Sequence, residues 1–478
     1  MTDSTQKPEK FINREDELKS LDELYKKTTE EAQFLILYGK RRIGKTELIK
    51  HAFSKKPFLY YLATKGTAKD QLRTLTTLVA SYFHEEYLSG DAFPTFRELF
   101  DYLGKKLKES GERLVLVIDE FPYLAESNKA MSSYFQYGWD EQLKNTNVLL
   151  VIMGSSISMM YRHTLSKKAP LFGRRTSSWP LEPFSFNQAR KLYPQAAFEQ
   201  AFEFFAVLGG VPAYLREFDA EKSLTQNIEE KILRKREFLN VEPEYLLTEE
   251  FKEPSKYLTI LKAVGLKRSK YAELLQATGM ENSELSSYLN TLTELRLVKR
   301  EVPVTEKNPH TSKKGSYSLS DSFLRFYFSI IYPNQSLIEA GSSGALFERY
   351  GGVLTNIIAK AYEDASLEFI QEAIKKGALP VFEQFGRWWD KDTAEIDLVG
   401  LNGHDNSILF VETKWSTKPV GTEVLNHLKK NASQVSWGRL GRKEYFALIS
   451  KGGFTEELKE QAKREKVTLI QEDHLLAF

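Results

Sequence analysis

The sequence predicts an α/β fold with a parallel sheet in its amino-terminal part, and two observations support this prediction. Apolar runs without alternation occupy residues 34–39, 58–64, 114–119 and 148–154, and stretches with helical spacing separate them. Strands that are apolar on both faces are typical of a buried parallel sheet, because helices cover both of its sides. We therefore expect residues 1–180 to form an α/β core, followed by a mostly helical segment at 181–250.

Length and composition limit the classes of protein that need to be considered. A chain of 478 residues with 41% hydrophobic and 28% charged residues is expected to be a soluble protein of several domains. No apolar run approaches the roughly 20 residues that span a bilayer, and the polar start, MTDSTQKPEK, lacks a secretory signal. A cytoplasmic protein without a membrane partner is the expectation. The absence of cysteine excludes disulfides and thiolate metal sites, so any metal site must use Asp, Glu or His, which suits Mg²⁺ or Mn²⁺.

A glycine-rich loop follows the first apolar run. Residues 39–46 match the pattern G-x-x-x-x-G-K-T at the start of a predicted helix, where backbone amides and the helix N-terminus can surround phosphate groups. Lys45 is expected to reach the β- and γ-phosphates of ATP, and the Thr46 hydroxyl to bind Mg²⁺. The expected nucleotide-contacting residues of this segment are Gly39, Lys40, Arg41, Arg42, Ile43, Gly44, Lys45, Thr46 and Glu47.

Two acidic residues end the third apolar run. Asp119 is placed to orient Mg²⁺, and Glu120 to polarise the water that attacks the γ-phosphate. This arrangement predicts ATP hydrolysis rather than binding alone, although a solvated strand-to-loop turn is the simpler alternative. Ser155, after the fourth run, is a candidate γ-phosphate sensor or, alternatively, a helix cap. Arg174 and Arg175 could stabilise the leaving phosphate or could simply be solvated.

Six segments in chain order carry a family resemblance: FINREDELKSL, YGKRRIGKTEL, LVLVIDEFPYL, MGSSISMM, PLFGRR and GGVPAYL. Together they resemble the archaeal-type ATPases, a family in the STAND branch of the P-loop NTPases that is close to the AAA+ group. The resemblance covers the first 215 or so residues. It implies that Phe11 to Arg14 line the adenine side of the nucleotide site and that residues 181–250 form a helical lid.

Residues 251–332 are predicted to form three helices and a hairpin with a long basic tip, an order that resembles a winged helix. We expect Asn282 or Ser283 to be the N-cap of the third helix. From 251 to 330 there are 13 Lys or Arg against 8 Asp or Glu, which is compatible with DNA backbone contact. The residues expected to face DNA are Ser283, Ser286, Ser287, Asn290, Thr291, Lys307, His310, Lys313 and Lys314. A solvated surface or a protein-binding module is the alternative.

The segment YPNQSLIEAGSSG, after Ile331, has the composition of a linker, and residues 333–478 are expected to form a second α/β domain. One strand-like segment, residues 394–399, carries Asp397, and Glu412 and Lys414 share one face of the next. Asp397 and Glu412 could chelate Mg²⁺ or Mn²⁺ while Lys414 orients a water. The set resembles the PD-(D/E)xK nucleases of restriction-endonuclease-like fold, with Glu363 at an acidic position before the first core strand. A surface ion pair in a non-catalytic binding domain is the alternative.

These features together predict a Mg²⁺-dependent STAND-type ATPase whose nucleotide state controls a DNA-binding, nuclease-like module. ATP and DNA are the expected partners. The competing hypothesis is a signalling or defence switch that forms a homo-oligomer on ATP, with a carboxy-terminal half that serves as a non-catalytic scaffold. A helper ATPase of a mobile element is a third hypothesis.

Overall fold

The structure is a computed structural model that describes residues 11–251, 253–340, 343–390 and 394–477. It divides into two compact units, which we call the amino-terminal unit (Met1–Phe184 with Val211–Ala213) and the carboxy-terminal unit (Ser185–Gly210 with Tyr214–Phe478). The helices of the predicted lid thus belong to the carboxy-terminal unit, apart from the Val211–Ala213 segment.

A five-stranded sheet with the order β2-β3-β4-β1-β5 is the centre of the amino-terminal unit, and all of its paired strands are parallel. Its strands are β1 (Gln33–Tyr38), β2 (Phe58–Leu62), β3 (Leu114–Asp119), β4 (Val148–Gly154) and β5 (Ser177–Pro180). Every residue of β3 and β4 is buried, as the apolar runs predict. The α/β prediction is therefore confirmed, and β5 is an edge strand that its Ser-Ser-Trp-Pro sequence did not reveal.

In the described residues up to Phe184, seven α-helices accompany this sheet. They are α1 (Glu15–Lys27), α2 (Lys45–Phe53), α3 (Ala68–Tyr82), α4 (Phe96–Ser110), α5 (Phe121–Ser127), α6 (Met131–Tyr137) and α7 (Ile157–Met160). A side-chain cap fixes the start of α3 and of α4, where Thr67 and Thr95 accept the N3 amides of Asp70 and Glu98. Leucine and phenylalanine side chains of α4 at helical spacing are buried against the sheet core.

The carboxy-terminal unit starts with helices rich in phenylalanine. They are α8 (Phe186–Arg190), α9 (Phe198–Leu208), α10 (Pro212–Leu215), α11 (Leu224–Ile228) and α12 (Phe238–Glu250). Phe202 of α9 lies 5.2 Å from the ring of Tyr362 and 5.0 Å from that of Trp415. These aromatic contacts explain why the segment packs as part of the carboxy-terminal unit.

Three helices and a hairpin follow, in the predicted order. They are α13 (Pro254–Gly265), α14 (Tyr271–Thr278), α15 (Asn282–Glu294), β6 (Val298–Glu301) and β7 (Ser316–Leu319). Gly279 ends α14 with a φ of 66°, a conformation that glycine adopts at low cost. The predicted N-cap of α15 is wrong, since Asn282 is already helical and Glu281 occupies the cap position without a side-chain hydrogen bond.

The predicted linker after Ile331 is also wrong for most of its length. A 3₁₀ turn covers Tyr332–Asn334 and a short helix α17 covers Gln335–Glu339, after α16 (Ser322–Phe326). Buried Asn334 donates its side-chain amide to the Ile330 carbonyl at 2.7 Å, so polar residues here stabilise helical turns rather than an extended connection. Residues 341–342 of the predicted linker lie outside the described residues.

A six-stranded mixed sheet with the order β13-β12-β11-β10-β9-β8 completes the carboxy-terminal unit. Strands β8, β9 and β10 pair antiparallel, and β10, β11 and β12 pair parallel. The elements are α18 (Ser343–Lys375), β8 (Gln384–Asp390), β9 (Ala394–Asn402), β10 (Ser407–Lys414), α19 (Thr422–Ala432), β11 (Lys443–Ser450), α20 (Glu456–Glu465), β12 (Thr468–Gln471) and β13 (His474–Leu475). The second α/β domain of the prediction is thus present as a separate mixed sheet.

Among the described helices, none combines the length and the apolar composition that crossing a membrane requires.

Candidate functional site

The glycine-rich loop connects the end of β1 to the start of α2. Gly39 has a φ of 154° and Gly44 a φ of 90°, backbone conformations that favour glycine. A Cβ on Gly39 would lie 2.5 Å from the carbonyl oxygen of Leu181, so a larger residue could not occupy this position without moving the backbone. The loop shape is therefore fixed by its two glycines.

Lys45, the first residue of α2, points back across the loop. Its Nζ donates to the carbonyl oxygens of Gly39, at 3.0 Å, and of Lys40, at 2.9 Å, and the residue is only 4% exposed. A buried ammonium group held by carbonyls at the rim of a phosphate-binding loop is placed to transfer its hydrogen bonds to phosphate oxygens. Its contact with the β- and γ-phosphates stays a prediction.

Asp119 lies at the carboxyl end of β3, next to the loop. The Thr46 hydroxyl donates to its Oδ2 at 2.8 Å, and the Tyr60 hydroxyl donates to the same oxygen at 2.5 Å. Burial and the neighbouring Asp119 carboxylate raise the pKa of Tyr60. Sequence analysis missed Tyr60, although its place on β2, the neighbour of β3, could have indicated it.

Glu120 follows Asp119 and has a φ of 50°. Its carboxylate accepts the backbone amide of Ser155 at 3.1 Å and the Ser155 hydroxyl at 2.5 Å. The two residues predicted for water activation and phosphate sensing are thus hydrogen-bonded to each other, across the carboxyl ends of β3 and β4. A shift of Ser155 would therefore also move the Glu120 carboxylate.

Arg14 supports the loop from outside. Its guanidinium donates to the Ile43 carbonyl at 3.0 Å and to Glu17 at 2.9 Å, and it lies 4.6 Å from the centre of the Phe184 ring. Burial lowers its pKa. These contacts show Arg14 as a brace of the loop backbone, and its predicted place beside the adenine stays a prediction.

Phe11, the other residue predicted near the adenine, stacks on a residue of α2. Its ring centre lies 4.1 Å from that of His51, with 6° between the ring planes. Whether an adenine ring extends this stack also stays a prediction.

Arg174 and Arg175 have contacts within the amino-terminal unit. Arg174 pairs with Asp140 at 2.8 Å and donates to the Pro170 carbonyl at 2.6 Å. Arg175 donates to the Thr164 carbonyl at 3.4 Å. A role in stabilising the leaving phosphate would require these bonds to be exchanged for bonds to ATP.

The four residues predicted for the second site converge on one cleft of about 560 Å³ in the carboxy-terminal unit. Glu363 comes from α18, Asp397 from β9, and Glu412 and Lys414 from β10. The antiparallel register of β9 and β10 ends with the pair Leu398–Val411, and Asp397 and Glu412 are the next residue on each strand. Their side chains therefore lie at neighbouring positions on one face of the sheet. The predicted grouping is therefore present in the fold.

Each acidic side chain of this cleft has a polar partner within the protein. The Asp397 Oδ2 accepts the amide and the hydroxyl of Thr413, both at 2.8 Å. Lys414 donates to Glu412 Oε1 at 2.5 Å, and Lys360 donates to Glu363 at 2.7 Å.

Burial and the Asp397 carboxylate raise the pKa of Glu412 to about 7 and also raise the pKa of Glu363. Lys414 is half-buried, and although this partial burial lowers its pKa, the surrounding carboxylates raise the pKa above its ordinary value. Strongly shifted carboxylates gathered in a cleft are a feature of functional sites. In the described part of the chain, however, no three Asp, Glu or His side chains are arranged to hold a metal ion on their own.

Comparison with known proteins places the chain in a family. Residues 11–218 match the family described as an ATPase domain predominantly from Archaea. Uncharacterized protein MJECL04 of Methanocaldococcus jannaschii is 35% identical over 406 residues, which cover 85% of this chain and 87% of that protein. The chain belongs to the archaeal-type P-loop ATPases.

Further similarities extend this result. Residues 327–432 of this archaeal-type ATPase match a family described as archaeal and bacterial proteins of unknown function. Uncharacterized protein MJ0424 of the same organism is 34% identical over 95 residues, 20% of this chain and 89% of that protein. The Walker-type ATPase paby2304 of Pyrococcus abyssi superposes with a TM-score of 0.50 at 18% identity, covering 67% of this chain and 96% of that structure. At this identity the structural match shows a shared fold.

The predicted DNA-facing surface of the ATPase lies on α15 and on the loop between β6 and β7. Most of the residues concerned are exposed: Ser283, Ser286, Ser287, Asn290, Lys307, His310, Lys313 and Lys314. Two have internal contacts, since Lys314 pairs with Glu306 at 2.9 Å and the half-buried Thr291 donates to the Ser287 carbonyl. The surface is accessible, and its role in DNA binding stays a prediction.

Sequence analysis missed several residues that line the acidic cleft. Arg387 and Trp389 come from β8, His427 and Asn431 from α19, and Lys270 from the turn before α14. No local motif marks them, because they reach the cleft only through the pairing of β8 with β9, the packing of α19 against β9 and β10, and the position of Lys270 near Trp389.

Proposed function

We propose that the chain is a Mg²⁺-dependent ATPase whose nucleotide state controls a DNA-binding, nuclease-like module. The observation that carries the proposal is the convergence of Glu363, Asp397, Glu412 and Lys414 on one cleft, in a chain that also has an assembled phosphate-binding loop. Assignment to the STAND class rests on the sequence resemblance.

In the ATPase site, Lys45 would bind the β- and γ-phosphates, while the loop amides neutralise the remaining charge. Thr46 and Asp119 fit a Mg²⁺ ion because both offer oxygen atoms, and their 2.8 Å contact places these atoms on one side of the loop. Glu120 would accept a hydrogen bond from the attacking water, and Ser155 would set the orientation of its carboxylate.

The acidic cleft also fits a divalent cation. Asp397 and Glu412 supply two neighbouring carboxylates, and Mg²⁺ in phosphoryl-transfer sites commonly takes one or two carboxylates with water and phosphate oxygens as the other ligands. A bound Mg²⁺ or Mn²⁺ would supply Lewis-acid activation of a phosphodiester. Lys414 lies beside Glu412 and is placed to orient a water or to stabilise charge on the phosphate, while Glu363 adds negative charge at the rear of the cleft.

One observation favours the scaffold hypothesis for the carboxy-terminal half. Lys414 and Lys360 already neutralise Glu412 and Glu363, and the described residues contain no ready-made cage of three metal ligands. A cleft with internally paired charges can be retained without a metal ion. In that case ATP would change the assembly state of the protein rather than a cleavage rate.

A cleavage assay with the full chain separates the two functions. Supercoiled DNA is incubated with the protein and Mg²⁺ or Mn²⁺, with and without ATP, beside Asp397→Ala and the control Lys376→Ala, an exposed lysine beyond the end of α18. We expect nicking by the parent and by the control, and loss of about 100-fold or more in Asp397→Ala. Nicking that persists in Asp397→Ala would place the activity elsewhere. Absence of nicking together with an ATP-dependent change in mass by light scattering would favour the scaffold.

A further inference from the structure

Two depressions of the carboxy-terminal unit meet at a common wall. The first, which we call the basic groove, has a volume of about 1130 Å³ and lies between the starts of α14 and α15 and the β6–β7 hairpin. The second is the acidic cleft. Lys270 lines both of them.

The wall itself consists of two short segments that run side by side. Ser269 and Lys270 precede α14, while Ser316 and Tyr317 begin β7, and the Tyr317 amide donates to the Ser269 carbonyl at 2.8 Å. Along β7 the side chains alternate, so Tyr317 lines the groove and Ser316 lines the cleft. A ligand that follows this wall passes directly from the groove to the acidic residues.

The two depressions differ in charge. The basic groove has Lys270, Arg300 and Lys313 against one acidic residue, Glu281, among its lining residues. Arg300 also fixes the hairpin loop, since it donates to the carbonyls of Pro309 at 2.8 Å and Ser312 at 2.6 Å. A positive groove beside an exposed polar helix suits the backbone of a DNA duplex.

The acidic cleft is too small for a duplex. Its volume of about 560 Å³ corresponds to the size of a small-molecule pocket, about 300 to 1,000 Å³, and holds one or two nucleotides. The hairpin loop is fastened to β8 by a hydrogen bond from the Val304 amide to the Arg387 carbonyl at 2.9 Å, which limits the opening on this side. The size of the cleft therefore favours an unpaired strand at Asp397 and Glu412.

Trp389 gives the cleft a surface on which a base can stack. It is half-buried on the edge strand β8 and lines the cleft, and the Lys270 ammonium lies 5.9 Å from the centre of its ring. Aromatic side chains beside cations are the usual platform for unpaired bases. Lys270 is placed to contact the phosphate at the point where the strand leaves the duplex.

We infer that the substrate is a DNA junction, in which a duplex occupies the basic groove and its single-stranded extension enters the acidic cleft past Lys270 to stack on Trp389. This inference rests on the proposed DNA-directed function and names its substrate class. It assigns Trp389 and Lys270 to substrate selection.

Equilibrium binding tests the inference without any cleavage step. Fluorescence anisotropy in Ca²⁺, an oxygen-liganded cation that can occupy the cleft carboxylates, compares the full chain on a blunt duplex of about two helical turns and on the same duplex with a single-stranded extension of about six nucleotides, of either polarity. We expect the extended duplex to bind about tenfold more tightly than the blunt duplex. A 2-aminopurine base in the extension should lose fluorescence on binding, because it stacks on Trp389.

The variants identify the residues responsible. Trp389→Ala and Lys270→Ala should lower the ratio of the affinities for the extended and the blunt duplex towards one. Trp389→Phe should keep most of this ratio, and the control Lys376→Ala should keep all of it. Equal affinity of the parent for both probes, or an unchanged preference in Trp389→Ala, would contradict the inference that the substrate is a DNA junction. Either result would leave the proposed DNA-directed function intact. A protein that binds neither probe contradicts both proposals.

Discussion

The phosphate-binding loop and the acidic cleft represent two ways of building a site. The loop takes its groups from consecutive residues, and two glycines and one helix start determine its geometry. The cleft takes its groups from α18, β9 and β10, and their positions depend on strand register and on helix packing. The first kind of site is complete as soon as the local chain folds, whereas the second requires the whole unit.

Electrostatics differ between the sites in the same way. In the loop, the Lys45 ammonium donates to neutral backbone carbonyls. When a phosphate replaces these acceptors, no negatively charged side chain is left without its partner. In the cleft, carboxylates crowd together, and burial with the Asp397 charge raises the pKa of Glu412 to about 7. The loop is therefore preorganised for an anion, whereas the crowded carboxylates of the cleft, although two of them pair with lysines, favour the binding of further positive charge.

The largest effect should come from the loop. Lys45→Ala removes the ammonium group that contacts the β- and γ-phosphates, and we expect ATP turnover to fall by about 100-fold or more. Phosphate release by the full chain measures it, with Lys376→Ala as the matched control. Turnover at the parental rate would mean that this loop is not where ATP is hydrolysed.

Glu120→Gln should separate hydrolysis from binding. The amide keeps the shape of the side chain and can still accept from Ser155, but it is a poorer base for the attacking water, so we expect turnover to fall by about 10² to 10⁴-fold. ATP affinity, measured with a fluorescent analogue, should stay within a few-fold of the parent. If affinity collapses instead, Glu120 maintains the structure of the loop rather than the chemistry.

The loop and its strands could be predicted from the sequence because their signals are local. Four apolar runs and one glycine pattern were sufficient to place β1 to β4, Lys45 and Asp119. The grouping of Asp397, Glu412 and Lys414 was predicted from strand periodicity together with a family resemblance. Trp389 and Lys270 were not, because they lie far apart in the chain and meet only in the folded unit, and no spacing in the chain encodes that contact.

The errors also have physical causes. The segment after Ile331 has the composition of a linker, yet Asn334 forms a side-chain bond to the Ile330 carbonyl that supports a turn, and the Tyr332 ring lies 5.9 Å from the Phe328 ring. The edge strand β5 was missed because Ser177 and Ser178 lack the apolar run of a central strand. Amino-acid composition predicts only the average tendency of a segment to be solvated, and in these two segments individual hydrogen bonds determine the local structure instead.

Asp364 and Glu363, which are adjacent in α18, allow a direct comparison between a carboxylate that stabilises the fold and one that belongs to the acidic cleft. Partial burial alone would raise the pKa of Asp364, but Arg325 at 2.9 Å, with Lys299 and Lys360 both at 3.4 Å, holds it well below its ordinary value. Burial and Asp397 raise the pKa of its neighbour Glu363 instead. The charge of Asp364 therefore stabilises the fold, whereas the charge of Glu363 opposes it.

Substitution by the uncharged amide tests this contrast. We expect Asp364→Asn to lower the free energy of unfolding by about 1 to 2 kcal/mol, a modest value because the side chain is 29% exposed and surface ion pairs contribute little individually. Glu363→Gln should be neutral or slightly stabilising in EDTA. Urea unfolding of both variants at neutral pH measures the difference.

The pH dependence has a fixed sign for Asp364. Because its folded pKa is lowered, its contribution to stability is present above the unfolded pKa of about 3.9 and is lost as the pH falls through the folded value. The difference in stability between the parent and Asp364→Asn should therefore shrink as the pH falls below about 3.9. Equal destabilisation by both substitutions would show that Glu363 is another anchor of α18, and its place at the acidic cleft would then need no functional explanation.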